Sequence, residues 1–172
     1  AMAIGLVGSE MCIRDRIAMG FVLVGFGFKV SAAPFHFAAP DAYAGASSPV
    51  AGILATASKA MGIIGLLRML LIVASPEASE DGTVWLTLLG VLSIITMTWG
   101  NIAALGSKNP KRMLAYSSVA HAGYMLAAIT AIGAWNWDAS LAGDGGESAV
   151  AVLTALIFHL IVLVAFKLGA FL

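Results

Sequence analysis

The stretch PVAGILATASKAMGIIGLLRMLLIVA, residues 49–74, decides the fold class, since its only charged side chains are Lys59 and Arg68. A helix needs about 20 mainly apolar residues to cross the hydrocarbon core of a bilayer. Proline is tolerated in the first helical turn, so Pro49 is a suitable starting residue. The stretch therefore predicts a transmembrane helix.

The composition of the whole chain agrees with a membrane location. Of its 172 residues, 60% are hydrophobic and 10% are charged, whereas a soluble domain carries roughly 25% charged residues. The formal net charge of zero provides no basic field for binding nucleic acid. Cys12 is the only cysteine, which excludes an internal disulfide.

Four further apolar stretches are long enough to be membrane helices, and none shows the alternation of a β-strand. They cover residues 17–33, 83–105, 110–134 and 147–172. Because lipid tolerates only helices and closed barrels, the sequence predicts an all-α, polytopic transmembrane helix bundle of about five helices.

The loops between these helices differ in charge and so predict the orientation. Loop 106–112 carries Lys108, Lys111 and Arg112 and no acid, which is typical of a cytoplasmic loop. Loops 75–82 and 135–147 carry only acidic charges and are predicted on the outer side. Alternation of the helices requires the same arrangement.

The first helix is predicted to be broken between Pro34 and Pro40, because each proline lacks the N–H that an unbroken helix needs. The stretch PFHFAAPDAYAGASSP, residues 34–49, is too polar to face lipid and is expected to line a cavity inside protein. His36 is expected to hydrogen-bond the broken backbone, and Asp41 is expected to bind loop amides.

Ionisable side chains are predicted at a common depth in the membrane. A helix rises about 1.5 Å per residue, so Lys59, ten residues after Pro49, lies about 15 Å inside a core about 30 Å thick. His121 and His159 lie similarly far from the starts of their own helices. Lys29 precedes the break in the first helix and is grouped with them.

A charge at this depth costs about 2.5–3.5 kcal/mol on the insertion scale, so four such residues favour a functional reason. A shared polar layer lowers the cost, because the groups hydrate and hydrogen-bond one another. Desolvation and neighbouring cations both weaken the hold of a lysine on its proton. The pattern therefore predicts a proton relay formed by Lys29, Lys59, His121 and His159.

Two other basic residues in the helices have simpler interpretations. Arg68 is expected to extend its guanidinium to the membrane interface. Lys167 lies about 20 residues into its helix, and both the interface and a functional position stay open for it. There is no Walker A loop, no CxxC pair and no metal-ligand spacing. The sequence therefore predicts no catalytic, cofactor-binding or metal site in this chain.

Two stretches of the chain resemble the antiporter-like membrane subunits of respiratory complex I. They are GFGFKVSAAPFHFAAPDAYAGASSPVAGILATASKAMGIIGLLRML, residues 25–70, and WGNIAALGSKNPKRMLAYSSVAHAGYMLAAI, residues 99–129. The resemblance implies that residues 17–172 form helices seven to eleven of about fourteen in a proton-translocating membrane domain. It also implies that Lys29 and Lys59 relay protons along the midplane and that His121 passes them to the second half-channel.

The resemblance further implies a membrane subunit of a proton-translocating NADH-quinone oxidoreductase. Its partners would be the lipid bilayer and the other membrane subunits of complex I, in the inner (plasma) membrane of the cell. NADH, FMN, iron–sulfur clusters and quinone would be used elsewhere in the complex. A subunit of a multisubunit cation/proton antiporter and a structural membrane scaffold remain as alternatives.

Residues 1–16 do not fit this pattern. The string SEMCIRDR, residues 9–16, places four charges between apolar stretches without turn residues. It resembles a translated sequencing adapter, so residues 1–16 are predicted to be non-native. The chain also stops inside an apolar run, and both ends are expected to be truncated.

Overall fold

The computed structural model describes residues 2–73, 81–137 and 145–171, and every element in them is helical. The all-α prediction is therefore confirmed. Two helices, α1 (Met2–Val30) and α2 (Ala38–Gly45), are the parts of the predicted broken helix, so the expected count of about five also holds. The elements are α1 (Met2–Val30), α2 (Ala38–Gly45), α3 (Ser48–Val73), α4 (Asp81–Leu105), α5 (Pro110–Trp137) and α6 (Gly145–Phe171).

Four of the helices contain spans that are long and apolar enough to cross a membrane. These spans are Ser48–Leu71, Val84–Leu105, Pro110–Ala134 and Ala149–Phe171, and Ile17–Val30 forms a shorter apolar segment. Large apolar side chains remain exposed on the outward faces of α4 and α6, among them Ile94, Ile102, Ile157, Phe158 and Ile161. Such faces suit contact with lipid.

The break in the first helix begins earlier than the prolines predicted. Helix α1 ends at Val30, and Ser31 has a φ of 63°, in the left-handed region. The Ala32 N–H donates to the Gly27 carbonyl and the Ser31 N–H to the Phe28 carbonyl, at 2.8 and 3.2 Å. These two bonds form a Schellman motif, which ends a helix by satisfying its last carbonyls. The non-helical segment is therefore 31–37.

The two prolines occupy different positions relative to this segment. Pro34 lies inside it and is exposed, whereas Pro40 is buried in the first turn of α2. A proline there breaks no intrahelical bond, since the first N–H groups of a helix have no intrahelical partner. The expectation that Pro40 interrupts the helix is therefore wrong, because α2 has already begun at Ala38.

The broken backbone is held by a residue of another helix. The N–H of Ala33 donates to Thr96 Oγ1 on α4 at 3.1 Å, and the Thr96 hydroxyl donates to the Leu92 carbonyl at 2.6 Å. The bond expected from His36 does not occur among the described residues. The buried ring of His36 stacks on Phe37, and its Nδ1 has no hydrogen-bond partner there.

Asp41 pairs with a side chain and not with loop amides, which corrects the expectation for it. Its carboxylate accepts a hydrogen bond from Arg112 at 2.7 Å, and both side chains are largely exposed. An exposed pair of this kind stabilises a fold by about 1 kcal/mol or less. Lys111 donates to the Ala46 carbonyl at the end of α2 at 3.1 Å. The basic loop thus also positions α2.

Helix α5 lies at the centre of the bundle, in contact with α2, α3, α4 and α6. Its packing against α4 is the most extensive among the described helices and depends on two glycines. A Cβ added to Gly100 would lie 2.6 Å from the Ala120 nitrogen, and one added to Gly123 would lie 2.7 Å from the Met97 nitrogen. The two backbones can approach this closely only because both positions lack a side chain.

Several predictions concern parts of the chain that the structure describes incompletely. Residues 75–80 of loop 75–82 and residues 138–144 of loop 135–147 lie outside the described residues. Helix α1 includes residues 2–16, of whose side chains only that of Arg14 is described, and it is exposed. The non-native origin of residues 1–16 and the sidedness of the loops therefore stay predictions.

Candidate functional site

A polar level crosses the bundle between two apolar clusters. It is formed by Lys59 on α3, Ser118 on α5 and Lys167 on α6, all of them buried. On each helix, the buried residue one turn from the polar residue in one direction belongs to the larger cluster. The buried residue one turn away in the other direction belongs to the smaller cluster. The flanking residues are Ile63 and Ala55 on α3, Ala122 and Ala115 on α5, and Leu163 and Phe171 on α6.

Lys59 is the largest of the fully buried side chains in the described residues, with 1% of its surface exposed. Its ammonium donates a hydrogen bond to the backbone carbonyl of Ser118 at 2.8 Å. A helical carbonyl can accept this bond beside its intrahelical one, because its oxygen has two lone pairs. The sequence therefore placed Lys59 correctly inside the bundle, and the structure adds its partner on α5.

Lys167 on α6 also reaches this part of α5, although the sequence left the direction of its side chain open. It is 4% exposed and donates to Ser117 Oγ at 2.9 Å and to the Leu114 carbonyl at 3.2 Å. One signal in the sequence could have found it. Lys167 continues the buried stripe of α6, which consists of residues 156, 160, 163, 167 and 171.

His121 and His159 face each other next to this level. Their ring centroids are 5.3 Å apart. His121 Nδ1 and His159 Nε2 are buried without a hydrogen-bond partner among the described residues. Tyr124 packs edge-on against the His121 ring at 5.6 Å, and its hydroxyl accepts a bond from Asn101 Nδ2 at 3.2 Å. The two rings predicted separately from their depths thus form a pair.

A cavity of about 370 Å³ separates α5 from α6 and connects the histidine pair to Lys167. Water occupies about 30 Å³ per molecule in the liquid, and a buried water needs two to four polar partners. The cavity therefore has the volume and the polar groups to hold several water molecules. Its lining residues are Leu114, Ser117, His121, His159, Val162, Leu163, Phe166, Lys167 and Ala170.

Lys29 does not join this cluster. Its side chain is exposed and packs against α3, where a Cβ on Gly62 would lie 3.2 Å from Lys29 Cγ. It lines a separate cavity of about 240 Å³ that also reaches Tyr43 and Ser58. Ser58 precedes Lys59 in the chain, so the two lysines approach the same turn of α3. Lys29 is exposed beside its own cavity, whereas Lys59 is buried against the Ser118 carbonyl.

The residues of the broken helix lie outside the polar level as well. Pro34 and His36 belong to segment 31–37, and Pro40 and Asp41 belong to α2. The hydroxyl of Tyr43 on α2 donates a hydrogen bond to the Leu54 carbonyl at 3.2 Å, which connects α2 to α3. The support of the break by Pro34, His36, Pro40 and Asp41 stays a prediction. His36 is buried at the break, whereas Lys59, His121, His159 and Lys167 collect around α5.

The cluster contains buried amines without a buried carboxylate partner among the described residues. No buried aspartate or glutamate occurs among the described residues, so Lys59 and Lys167 have only neutral acceptors. Both amines donate to the same short stretch of α5, residues 114–118. Because like charges repel strongly away from water, full charge on both is costly. Transfer of a proton to or from either amine changes the energy of the whole cluster.

Comparison with known proteins gives a consistent match. The family model described as NADH:quinone oxidoreductase/Mrp antiporter, TM, matches residues 9–172. NADH-quinone oxidoreductase subunit N 2 of Roseiflexus castenholzii is 42% identical over 170 residues, which cover 96% of this chain and 32% of the relative.

Two further relatives have the same kind of name. Subunit N of Desulfitobacterium hafniense is 38% identical over 172 residues, covering 99% of this chain and 34% of the relative. Subunit N of Rubrobacter xylanophilus is 45% identical over 156 residues, covering 90% of this chain and 29% of the relative. The chain thus spans about a third of the length of the curated relatives it matches.

Proposed function

This chain belongs to the NADH:quinone oxidoreductase/Mrp antiporter family, and from that premise we propose that it is part of subunit N of a proton-translocating NADH-quinone oxidoreductase. Its role is to carry protons through the membrane while NADH oxidation and quinone reduction proceed in other subunits. The observation that carries this proposal is the buried ammonium of Lys59, bound to the Ser118 carbonyl beside the His121–His159 pair.

The order of the polar groups supports a path across the bundle. The Lys29 cavity reaches α3 at Ser58, next to Lys59, and Lys59 binds α5 at Ser118. His121 lies three residues further along α5, a rise of about 4.5 Å. Protons would therefore pass from Lys29 to Lys59 and on to His121, with water between these groups.

The redox groups would lie outside this chain. An iron–sulfur cluster is held by about four cysteine thiolates, and this chain contains a single cysteine, Cys12. Its residues therefore do not fit such a cluster, and the groups used with NADH, FMN among them, would belong to partner subunits. The subunit would cross the inner (plasma) membrane several times, with loop 106–112 on the cytoplasmic side.

A second candidate is a cation/proton antiporter subunit, since the family description names antiporters as well. The buried site suits the first candidate better, because the cations it contains are its own lysines. Within the described residues, no buried carboxylate accompanies them as a ligand for a sodium ion.

Sodium dependence separates the two candidates. We expect the purified complex that contains this subunit, reconstituted in vesicles, to take up protons on addition of NADH and a soluble quinone equally well with and without sodium. Uptake would be measured with a trapped pH-sensitive dye, and a protonophore would be the control for a real gradient. Proton uptake that requires sodium, or that is driven by a sodium gradient without NADH, would favour the antiporter.

A further inference from the structure

Lys167 is buried in a place where a lysine could have reached water. It lies 18 residues after the start of the Ala149–Phe171 span, a rise of about 27 Å through a core about 30 Å thick. A lysine so close to the membrane interface usually extends its ammonium to it. Here the ammonium turns inward to α5, and 4% of the residue remains exposed. The relay from Lys29 through Lys59 to His121 makes no use of this second buried amine.

The acceptors of Lys167 connect it to both parts of the site. The Leu114 carbonyl and Ser117 Oγ hold its ammonium, one turn or less from the Ser118 carbonyl that holds Lys59. A serine hydroxyl that accepts one hydrogen bond still has its own hydrogen to donate. Ser117 also lines the cavity of the two histidines, so it can pass the hydrogen-bond chain from Lys167 into that cavity.

The free ring nitrogens provide the other end of the transfer. His121 Nδ1 and His159 Nε2 are buried without partners among the described residues, and both rings line the cavity with Lys167. A neutral imidazole accepts a proton at one nitrogen and can release one from the other. The cavity therefore joins an amine that can release a proton to rings that can accept it.

We propose that Lys167 is a further proton-relay residue, which exchanges protons with the His121–His159 pair through the cavity that they share. In this step an N–H bond of the Lys167 ammonium breaks and its electron pair stays on Nζ. The proton moves through water or the Ser117 hydroxyl, and a new N–H bond forms on a ring nitrogen. The positive charge moves from the lysine to the imidazole. This inference rests on the proposed function.

The test compares three substitutions of Lys167 in the intact, reconstituted complex. Lys167→Met removes the ionisable group. Lys167→Arg keeps the positive charge on a group that does not release its proton, and Lys167→His keeps a group that binds and releases one. We expect Lys167→Met and Lys167→Arg to lower proton uptake per NADH oxidised at least several-fold, and Lys167→His to retain more uptake than Lys167→Arg.

Other outcomes overturn the inference. Uptake like that of the parent in an assembled Lys167→Met complex would show that no proton passes through this amine. Full uptake in Lys167→Arg, with less in Lys167→His, would show that only the charge matters. If Lys167→Met does not assemble, the comparison of the arginine and histidine variants decides the result.

Lys59→Met in the same preparation separates this inference from the proposed function. Loss of uptake in Lys59→Met together with parental uptake in Lys167→Met would reject the role of Lys167 alone. Parental uptake in Lys59→Met would reject the proposed relay itself.

Discussion

Replacing Lys59 with methionine is expected to lower NADH-driven proton uptake about tenfold or more, which corresponds to about 1.4 kcal/mol or more in the barrier to proton transfer. Methionine has nearly the length of the lysine stem but no group that binds a proton. The Ser118 carbonyl loses the ammonium that now donates to it at 2.8 Å. The step from α3 to α5 therefore has no carrier in this variant.

The same substitution should leave the fold intact, which makes the result interpretable. Methionine removes the desolvation cost of the buried ammonium, and because Lys59 donates to a neutral carbonyl, no opposite charge is left unpaired. Arg68→Met is the matched control, because Arg68 lies on the same helix but is exposed. We expect the control to pump as the parent does. Equal uptake in the two variants, with assembly confirmed for both, would favour the structural-scaffold alternative.

Adding one methyl group at Gly123 is expected to prevent α4 and α5 from packing together. The new Cβ of Gly123→Ala would lie 2.7 Å from the backbone nitrogen of Met97, and backbone cannot turn aside as a flexible side chain can. Overpacking of this kind costs about 1–3 kcal/mol, and a clash with backbone should reach the upper end. We expect a large loss of assembled complex and a lower thermal unfolding midpoint.

Gly90→Ala is the control for this prediction, because Gly90 on α4 also faces α5. Its new Cβ would meet Thr130 Cγ2 at 3.6 Å, an ordinary contact. Alanine is a better helix former than glycine by about 0.5–1 kcal/mol, so this variant should be as stable as the parent or slightly more so. A Gly123→Ala complex that assembles and unfolds like Gly90→Ala would contradict the close approach of α4 and α5.

The positions of the helices and the burial of Lys59 could be predicted from the sequence, because both depend on properties that are local to the chain. The length and composition of an apolar run predict a membrane span, and the rise per residue gives the depth of a side chain. The pairing of His121 with His159 could not be predicted this way. Depth alone does not say which faces of two helices meet, and in the structure they meet across a cavity.

Lys167 was left open because depth measures the position of the backbone and not the direction of a long side chain. About 20 residues into its helix, the ammonium could reach either the interface or the interior. The hydroxyl of Ser117 and the carbonyl of Leu114 decide between them, and both belong to another helix. The same reason applies to Thr96, whose bond to Ala33 joins residues far apart in the chain.

The beginning of the break was misplaced for a different physical reason. Proline signals where a helix cannot continue, but α1 ends before the first proline through a backbone motif at Ser31. Serine carries little preference for the left-handed region, which glycine usually occupies at such a position. The residue type therefore gave no warning of this helix end.

A proton that crosses the bundle by this path must bind to Lys59 and leave it during turnover. Infrared difference spectroscopy of the intact complex, with lysine carrying a heavy nitrogen isotope, measures that change directly on addition of NADH. We expect a lysine N–H bending signal that shifts with the isotope and is absent from Lys59→Met. Identical lysine signals in the parent and in Lys59→Met would show that Lys59 keeps its protonation state, which would contradict its role as a proton carrier.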